Sequence, residues 1–354
     1  MASKSRSIST TAKGSSSPRE TALFEAPPEA SRFEEMLQKA VKGFKDLCLV
    51  RAALEMGVFR HLDEPSDIET LARQWGVNRR LLRLFLENLS RLGLLRREGG
   101  YYTVTALSRR FLDPRSPYCQ LRHLKHEIDS ALRWLDLSRC LGGISRHEKV
   151  SFFGEIVHVL AEQRMLGELQ ETLEILCDLD GFKRAQRCLD LGGGHGLFAI
   201  AFTKAKEDLE AYVFDLPQVL EETKDYIAKY HAERVYLVAG DFFRDELGSD
   251  YDLVFSAYNP AGKRPEVIPK IWRCLREGGT YINQQFFPED DPATVEDLEW
   301  NLWDFGMEKG PKAYTFEGDL DLSGYLNALR KEGFKVERVI NMKRGDKMIV
   351  AQKG

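Results

Sequence analysis

The sequence has no strong excess of either charge. Its 354 residues carry 51 Lys and Arg against 55 Asp and Glu, a net of -4. Bulk charge therefore gives no reason to expect nucleic acid or an acidic membrane surface. Cysteine is sparse and scattered: Cys48, Cys119, Cys140, Cys177, Cys188 and Cys274. No two of them stand at metal-ligand or redox spacing, so no metal is expected, and the thiols suit a reducing compartment, the cytoplasm. No apolar run reaches membrane-spanning length, and no signal-peptide pattern opens the chain. Internal repeats and coiled-coil heptads are absent too. Acidic residues are missing before Glu20 in a stretch rich in Ser, Thr and Ala. A transit peptide shares that composition but needs an amphipathic face, and only Met1 and Ile8 are large apolar residues among the first twenty. Residues 1–32 are expected to be a disordered tail.

What is present begins with hydrophobic content. At 43% apolar residues the chain can build one large or two ordinary cores. The most informative stretch runs from Leu189 to Ala201. There an apolar strand ends at Asp190, and glycines at alternate positions, Gly192, Gly194 and Gly196, turn directly into a helix. In an open α/β sheet such a turn lies where ligands bind, and glycine allows a ligand to approach the backbone closely. The dinucleotide spacing Gly-x-Gly-x-x-Gly fails, because the sixth position from Gly192 is Leu197. The spacing Asp-x-Gly-x-Gly-x-Gly instead resembles the first motif of class I S-adenosylmethionine methyltransferases. That ligand carries an ammonium, which suits an acid beside the loop, and a carboxylate, which suits backbone N–H groups at the helix start.

Further strands follow in order. Ala211–Asp215 leads into Leu216-Pro217, and a carboxylate at Asp215 can accept both ribose hydroxyls. Val235–Ala239 precedes Asp241 and Phe242, suited to the adenine amino group and ring face. Tyr251–Ser256 is a fourth strand. Leu275–Ile282 reads as a helix end, a turn and a fifth strand, and Gly333–Ile340 with Met348–Ala351 as an edge hairpin turned at Arg344-Gly345-Asp346. The expected cofactor-binding set is Asp190, Gly192, Gly194, Gly196, Asp215, Leu216, Asp241 and Phe242.

The N-terminal part is helical and then strand-forming. Asp67–Val77 starts a helix that Gly76 closes, Asn78 caps the next, and two short strands flank Gly99-Gly100. This helix–turn–helix–wing pattern leaves a DNA-binding reading open through Arg79, Arg80 and Arg83 at the start of the second helix. Solvated arginines or a subunit contact are the preferred reading, and nucleic acid is not expected because a catalytic domain follows directly. Residues 113–180 read as wholly helical, with helices over 121–141 and 156–177.

The layout as a whole, over residues 35 to 352, resembles the plant caffeate and flavonoid and bacterial polyketide O-methyltransferases. The resemblance implies a Rossmann-like, seven-stranded α/β methyltransferase domain at 181–354. It also implies an all-α winged-helix dimerisation domain at 33–112, a helical connector at 113–180 and a homodimer. The match fails after the fourth strand, where the family carries an aromatic-x-x-His-Asp-Trp segment with the general base. Here residues 255–263 read Phe-Ser-Ala-Tyr-Asn-Pro-Ala-Gly-Lys. A phenol near pKa 10 needs a base at neutral pH. Three explanations stand open. The acceptor is a thiolate, amine or activated carbon. Alternatively another residue is the base, with Tyr258, His158 and His126 as candidates and Asn259 as a positioning group. Or the domain binds cofactor without transferring methyl, as an S-adenosylmethionine-sensing DNA regulator also would. Asn259-Pro260 loosely resembles an amino-methyltransferase motif, though a loop turn explains it. His195 is read as loop geometry. Trp300, Trp303, Phe305, Met307 and Tyr314 suggest a flat or apolar acceptor, or simply core.

Overall fold

A computed structural model describes residues 26–142, 152–287, 291–302 and 308–354, with the side chains of 152–155 left aside. Most of the expected tail, together with Trp303, Phe305 and Met307, lies outside the described residues. The chain divides into two compact units between Arg109 and Arg110. Residues of the expected connector after that point pack within the C-terminal unit.

In the first unit a helix spans Ala30–Glu55, starting inside the stretch read as tail. Pro27 and Pro28 stop it from starting earlier, and Ala30 N–H closes a turn on the Pro27 carbonyl. The helix Ile68–Trp75 is capped by Asp67, whose carboxylate accepts from the backbone N–H groups of Glu69 and Thr70, and ends at left-handed Gly76. The helix Arg79–Arg91 is capped by Asn78 accepting from Leu81 N–H. Strands β1 (Ser66–Asp67), β2 (Leu95–Glu98) and β3 (Tyr101–Val104) form an antiparallel sheet in the order β1-β3-β2. The wing thus gains a short third strand. Leu82, Leu86 and Leu89 bury against this unit's core, whereas Leu81 and Leu84 on the same helix are exposed. Arg79 is tied up in an ion pair with Glu69.

The second unit is built on seven strands: β4 (Arg187–Leu191), β5 (Glu210–Asp215), β6 (Val235–Ala239), β7 (Tyr251–Ala257), β8 (Leu275–Gln285), β9 (Phe334–Asn341) and β10 (Lys347–Lys353). They pair in the order β6-β5-β4-β7-β8-β10-β9. Only β10 runs against its neighbours. The chain moves outward from β4 through β5 and β6, then returns to the other side of β4 with β7. That reversal is a topological switch point, and it puts the ligand crevice at the carboxyl end of β4. Alternate strand residues feed two cores. Cys188, Val213 and Phe255 join Phe198 and Phe202 on one face, while Leu189, Phe214 and Val254 join Ile271 and Tyr325 on the other. Helices cover both faces, as a mostly parallel sheet requires.

Three expectations need correction. The helix expected over 156–177 is two helices, Phe152–Arg164 and Glu168–Asp178, because Gly167 takes φ +113, which no α-helix accommodates. Likewise the helix over 121–141 keeps α geometry only from Leu121 to Arg133, then tightens through Trp134–Asp136 into a last turn at Leu137–Cys140. Residues 275–279, expected as helix end and turn, belong to β8. The register jumps from Tyr251 opposite Leu275 to Leu253 opposite Thr280, so residues 276–279 bulge out with Gly278 at φ +72.

Candidate active site

The switch point is occupied by the loop from Asp190 to Gly196, between β4 and the helix Leu197–Ala205. Gly192, Gly194 and Gly196 take φ of +66, +53 and +70. Side-chain-bearing residues avoid this region. The reason for glycine differs by position. A Cβ on Gly192 would come within 2.8 Å of the Asn259 amide, and one on Gly196 within 2.8 Å of Thr223. Gly194 faces open space. At Gly192 and Gly196, then, the protein itself fills the space that the sequence reading reserved for a ligand.

Asp190 is 1% exposed, and its Oδ2 has no hydrogen-bond partner. Burial pushes its carboxyl up to about 7, against one bond from Ala199 N–H that pulls it down. Asp215, also raised by burial, accepts from Gly194 N–H at 2.9 Å and from Leu216 N–H at 2.7 Å. Two of a carboxylate's roughly four acceptor positions are thereby used, and two remain for a diol. After β6, Asp241 Oδ1 accepts from Phe243 N–H, and Phe242 lies edge-on to Phe243 with ring centroids 4.7 Å apart. Burial, helped by the nearby Arg164 charge, lowers His195 to about 3, so its ring is neutral. Its Nδ1 accepts from Leu197 N–H.

Four backbone N–H groups of the loop have partners inside the protein: Gly192 donates to Phe214 O, Gly196 to Gly193 O, Gly194 to Asp215 and Leu197 to His195.

Three of the four candidate catalytic residues are hydrogen-bonded into the protein. Tyr258, at φ +53, donates its hydroxyl to Asp346 at 2.5 Å and accepts from Gln284. Burial, then the Glu168 charge, raises its phenol far above the ordinary value, so it cannot ionise to take a proton. His158 uses both ring nitrogens, with Nδ1 to the Tyr226 hydroxyl and Nε2 to Glu222, each at 2.8 Å. His126 is half-buried on the helix Leu121–Arg133 and is not among the described residues that line the loop cavity. Asn259 braces the loop, donating to Leu191 O at 2.6 Å.

Comparison with known proteins fits this architecture. Residues 39–114 match the family model of an O-methyltransferase dimerisation domain, and residues 157–258 that of an O-methyltransferase domain. An uncharacterized protein, MJ0086, of Methanocaldococcus jannaschii is 35% identical over 88% of this chain and 85% of its own length. The tetracenomycin polyketide synthesis 8-O-methyl transferase TcmO of Streptomyces glaucescens is 27% identical over 73% of this chain and 79% of its own. Human N-acetylserotonin methyltransferase, solved in complex with SAM, shares the fold at TM-score 0.69 and 21% identity, covering 93% of this chain and all of that one. The chain belongs to the S-adenosylmethionine-dependent O-methyltransferase family.

The O-methyltransferase model ends at Tyr258, just before the segment where this sequence has Asn259-Pro260-Ala261-Gly262-Lys263. Several side chains around this O-methyltransferase's loop were not singled out in the sequence. Val157, Leu160 and Arg164 lie along one helix face at spacings of three and four, and line a small cavity of about 80 Å³ over the loop. Buried Arg164 and Glu168 form an ion pair that the exposed Arg344 joins. The signal was a charge at the end of an apolar helical stripe with Glu168 four residues on. Among the aromatic residues expected over the acceptor, Tyr314 stacks on Phe286 at 5.9 Å and stands 5.5 Å from Trp300.

Proposed function

We propose that this protein transfers methyl from S-adenosylmethionine, held on the Asp190–Gly196 loop, to an acceptor that needs no histidine base. The cofactor supplies a methyl group on a sulfonium, which is already electrophilic. The observation that carries the cofactor reading is the orphaned, buried Asp190 Oδ2 beside a glycine turn. A buried carboxylate oxygen without a donor is costly, and an ammonium would satisfy it. The free acceptor positions of Asp215 suit the ribose diol, and Asp241 with Phe242 suit adenine. Leu216 donates its N–H to Asp215 and so fixes that carboxylate.

For the acceptor, the support is the bond that Tyr258 donates to Asp346 and the place of His158, which is bonded to Tyr226 and Glu222 and is not among the described residues that line the loop cavity. Positioning then carries much of the rate. The acceptor is a hydroxyl acidic enough to ionise unaided, a thiolate, an amine or an activated carbon. The protein works as a homodimer in the cytoplasm, a reading supported by its dimerisation domain. No described helix is long and apolar enough to cross a membrane.

The test is the pH–rate profile with an acceptor found by labelled-cofactor screening of cell extract. It should follow the acceptor's own ionisation, with no enzyme limb near the ordinary histidine value of about 6.5. A limb there that disappears in His158→Ala or His126→Ala would overturn the reading.

A further inference from the structure

Tyr258 is the last residue before the segment that departs from the family. Its backbone takes φ +53, a conformation that a side-chain-bearing residue keeps only where its surroundings enforce it. The enforcement is visible. Its N–H donates to Gln284 O at 3.0 Å. Its hydroxyl accepts from Gln284 Nε2 at 2.7 Å, and the same amide nitrogen donates to Asp346 Oδ2 at 2.8 Å. The hydroxyl proton then goes to Asp346 Oδ2, at 2.5 Å. Thr172 donates to Gln284 Oε1 at 2.8 Å, which fixes the orientation of the amide.

Asp346 comes from the turn between β9 and β10, 88 residues along the chain. That turn closes through backbone bonds, Gly345 N–H to Met342 O and Met342 N–H to Asp346 O. It makes no use of the Asp346 carboxylate. Yet the side chain is 1% exposed, its Oδ1 has no hydrogen-bond partner among the described residues, and Arg344 is a nearby counter-charge. Burying a carboxylate is costly, and here its two printed bonds go to Tyr258 and Gln284. The ring so held lines the cavity over the glycine loop. The Arg164 guanidinium lies 4.0 Å from its centroid. Phe286 is 5.6 Å away and stacks on Tyr314, which is 61% exposed. Tyr258 thus touches both the cavity at the cofactor loop and an aromatic pair open to an acceptor.

We propose that Asp346 is a positioning residue for methyl transfer: it holds the Tyr258 ring where the loop cavity meets the Phe286–Tyr314 pair, and so aligns the acceptor with the methyl group. This rests on the function proposed above, in which positioning carries much of the rate, and names a residue that does it. A misplacement of about 1 Å can cost on the order of a hundredfold in rate.

The experiment follows label passed from S-adenosylmethionine to heated cell extract by the full chain at saturating cofactor. The rate is divided by the number of S-adenosylhomocysteine sites counted by calorimetry, which removes any change in folded fraction. Diluting the extract separates the maximal rate from half-saturation. Asp346→Ala should lower the maximal rate per site about tenfold or more, with half-saturation changed less than about threefold. Tyr258→Phe removes one oxygen, keeps the ring and should do the same. The double variant should lose no more than either single one, because both break one bond. A rate per site equal to wild type in Asp346→Ala, a change in half-saturation alone, or additive losses in the double variant overturns the proposal. If Asp346→Ala does not fold, Tyr258→Phe decides: a tenfold loss per site supports the proposal, and parity overturns it. A wild type that binds S-adenosylhomocysteine but passes no label brings down the proposed function itself, and this proposal with it.

Discussion

Asp190 is held in an environment that disfavours its charge. Burial raises it from an ordinary 3.8 to about 7. The sign follows directly. The unfolded carboxyl ionises first, so the folded ligand-free protein binds more protons between those values, and its stability falls as pH rises through about 7. At about 1.4 kcal/mol per unit the full penalty is on the order of 4 kcal/mol above that pH. Asp190→Asn should therefore stabilise the ligand-free protein in urea melts at pH 8 relative to pH 5, while weakening cofactor binding. An ammonium at Oδ2 favours the ionised form, so binding near neutral pH should release a proton. Titration in two buffers of different ionisation enthalpy reads that number, and proton uptake would contradict the account. Asp190, Asp215 and the three glycines were legible because a strand, a tight turn and a helix impose fixed spacings on them. Arg164 was not, since its burial depends on Glu168, Tyr258 and Arg344, and the last two are remote in sequence.

Among the elements, the loop between β4 and the helix Leu197–Ala205 carries the most conformational demand. Gly194→Ala should cost about 1–2 kcal/mol, for left-handed backbone alone, because a Cβ there meets nothing. Gly196→Ala should cost more, since the same conformation adds a 2.8 Å approach to Thr223. Urea unfolding of the pair checks the order, and a Gly194 variant less stable than the Gly196 variant would refute it. The strands of the sheet were legible from their apolar runs and acidic ends. Two of the misread elements share a cause. Gly167 sits within a helical pattern that periodicity reads straight through, and residues 276–279 look like a turn because pairing across β7 and β8 absorbs them as a bulge. Only tertiary partners decide either case.

For the whole molecule, the first unit leaves a stripe uncovered. Phe33, Met36, Leu37, Val41 and Phe44, at helical spacing on Ala30–Glu55, are all exposed. Apolar stripes of this kind mark association surfaces, in keeping with the dimerisation domain matched at 39–114. Sedimentation of the full chain at tens of micromolar should give a dimer, and Met36→Glu with Phe44→Glu should shift it toward monomer. A wild-type monomer at that concentration contradicts the assembly. The sequence carried the α/β class and the winged module, since both follow from element order. It did not carry the filling of the site, where Tyr258, His158 and Asn259 are hydrogen-bonded into the protein.

Calorimetric titration with S-adenosylhomocysteine tests whether the loop between β4 and the helix Leu197–Ala205 holds S-adenosylmethionine. The wild type should bind at about micromolar affinity or better, near 8 kcal/mol. Asp215→Ala should lose about 1–3 kcal/mol as the ribose loses a charge-assisted partner. Binding of NAD instead, or an Asp215 variant indistinguishable from wild type, would contradict the account.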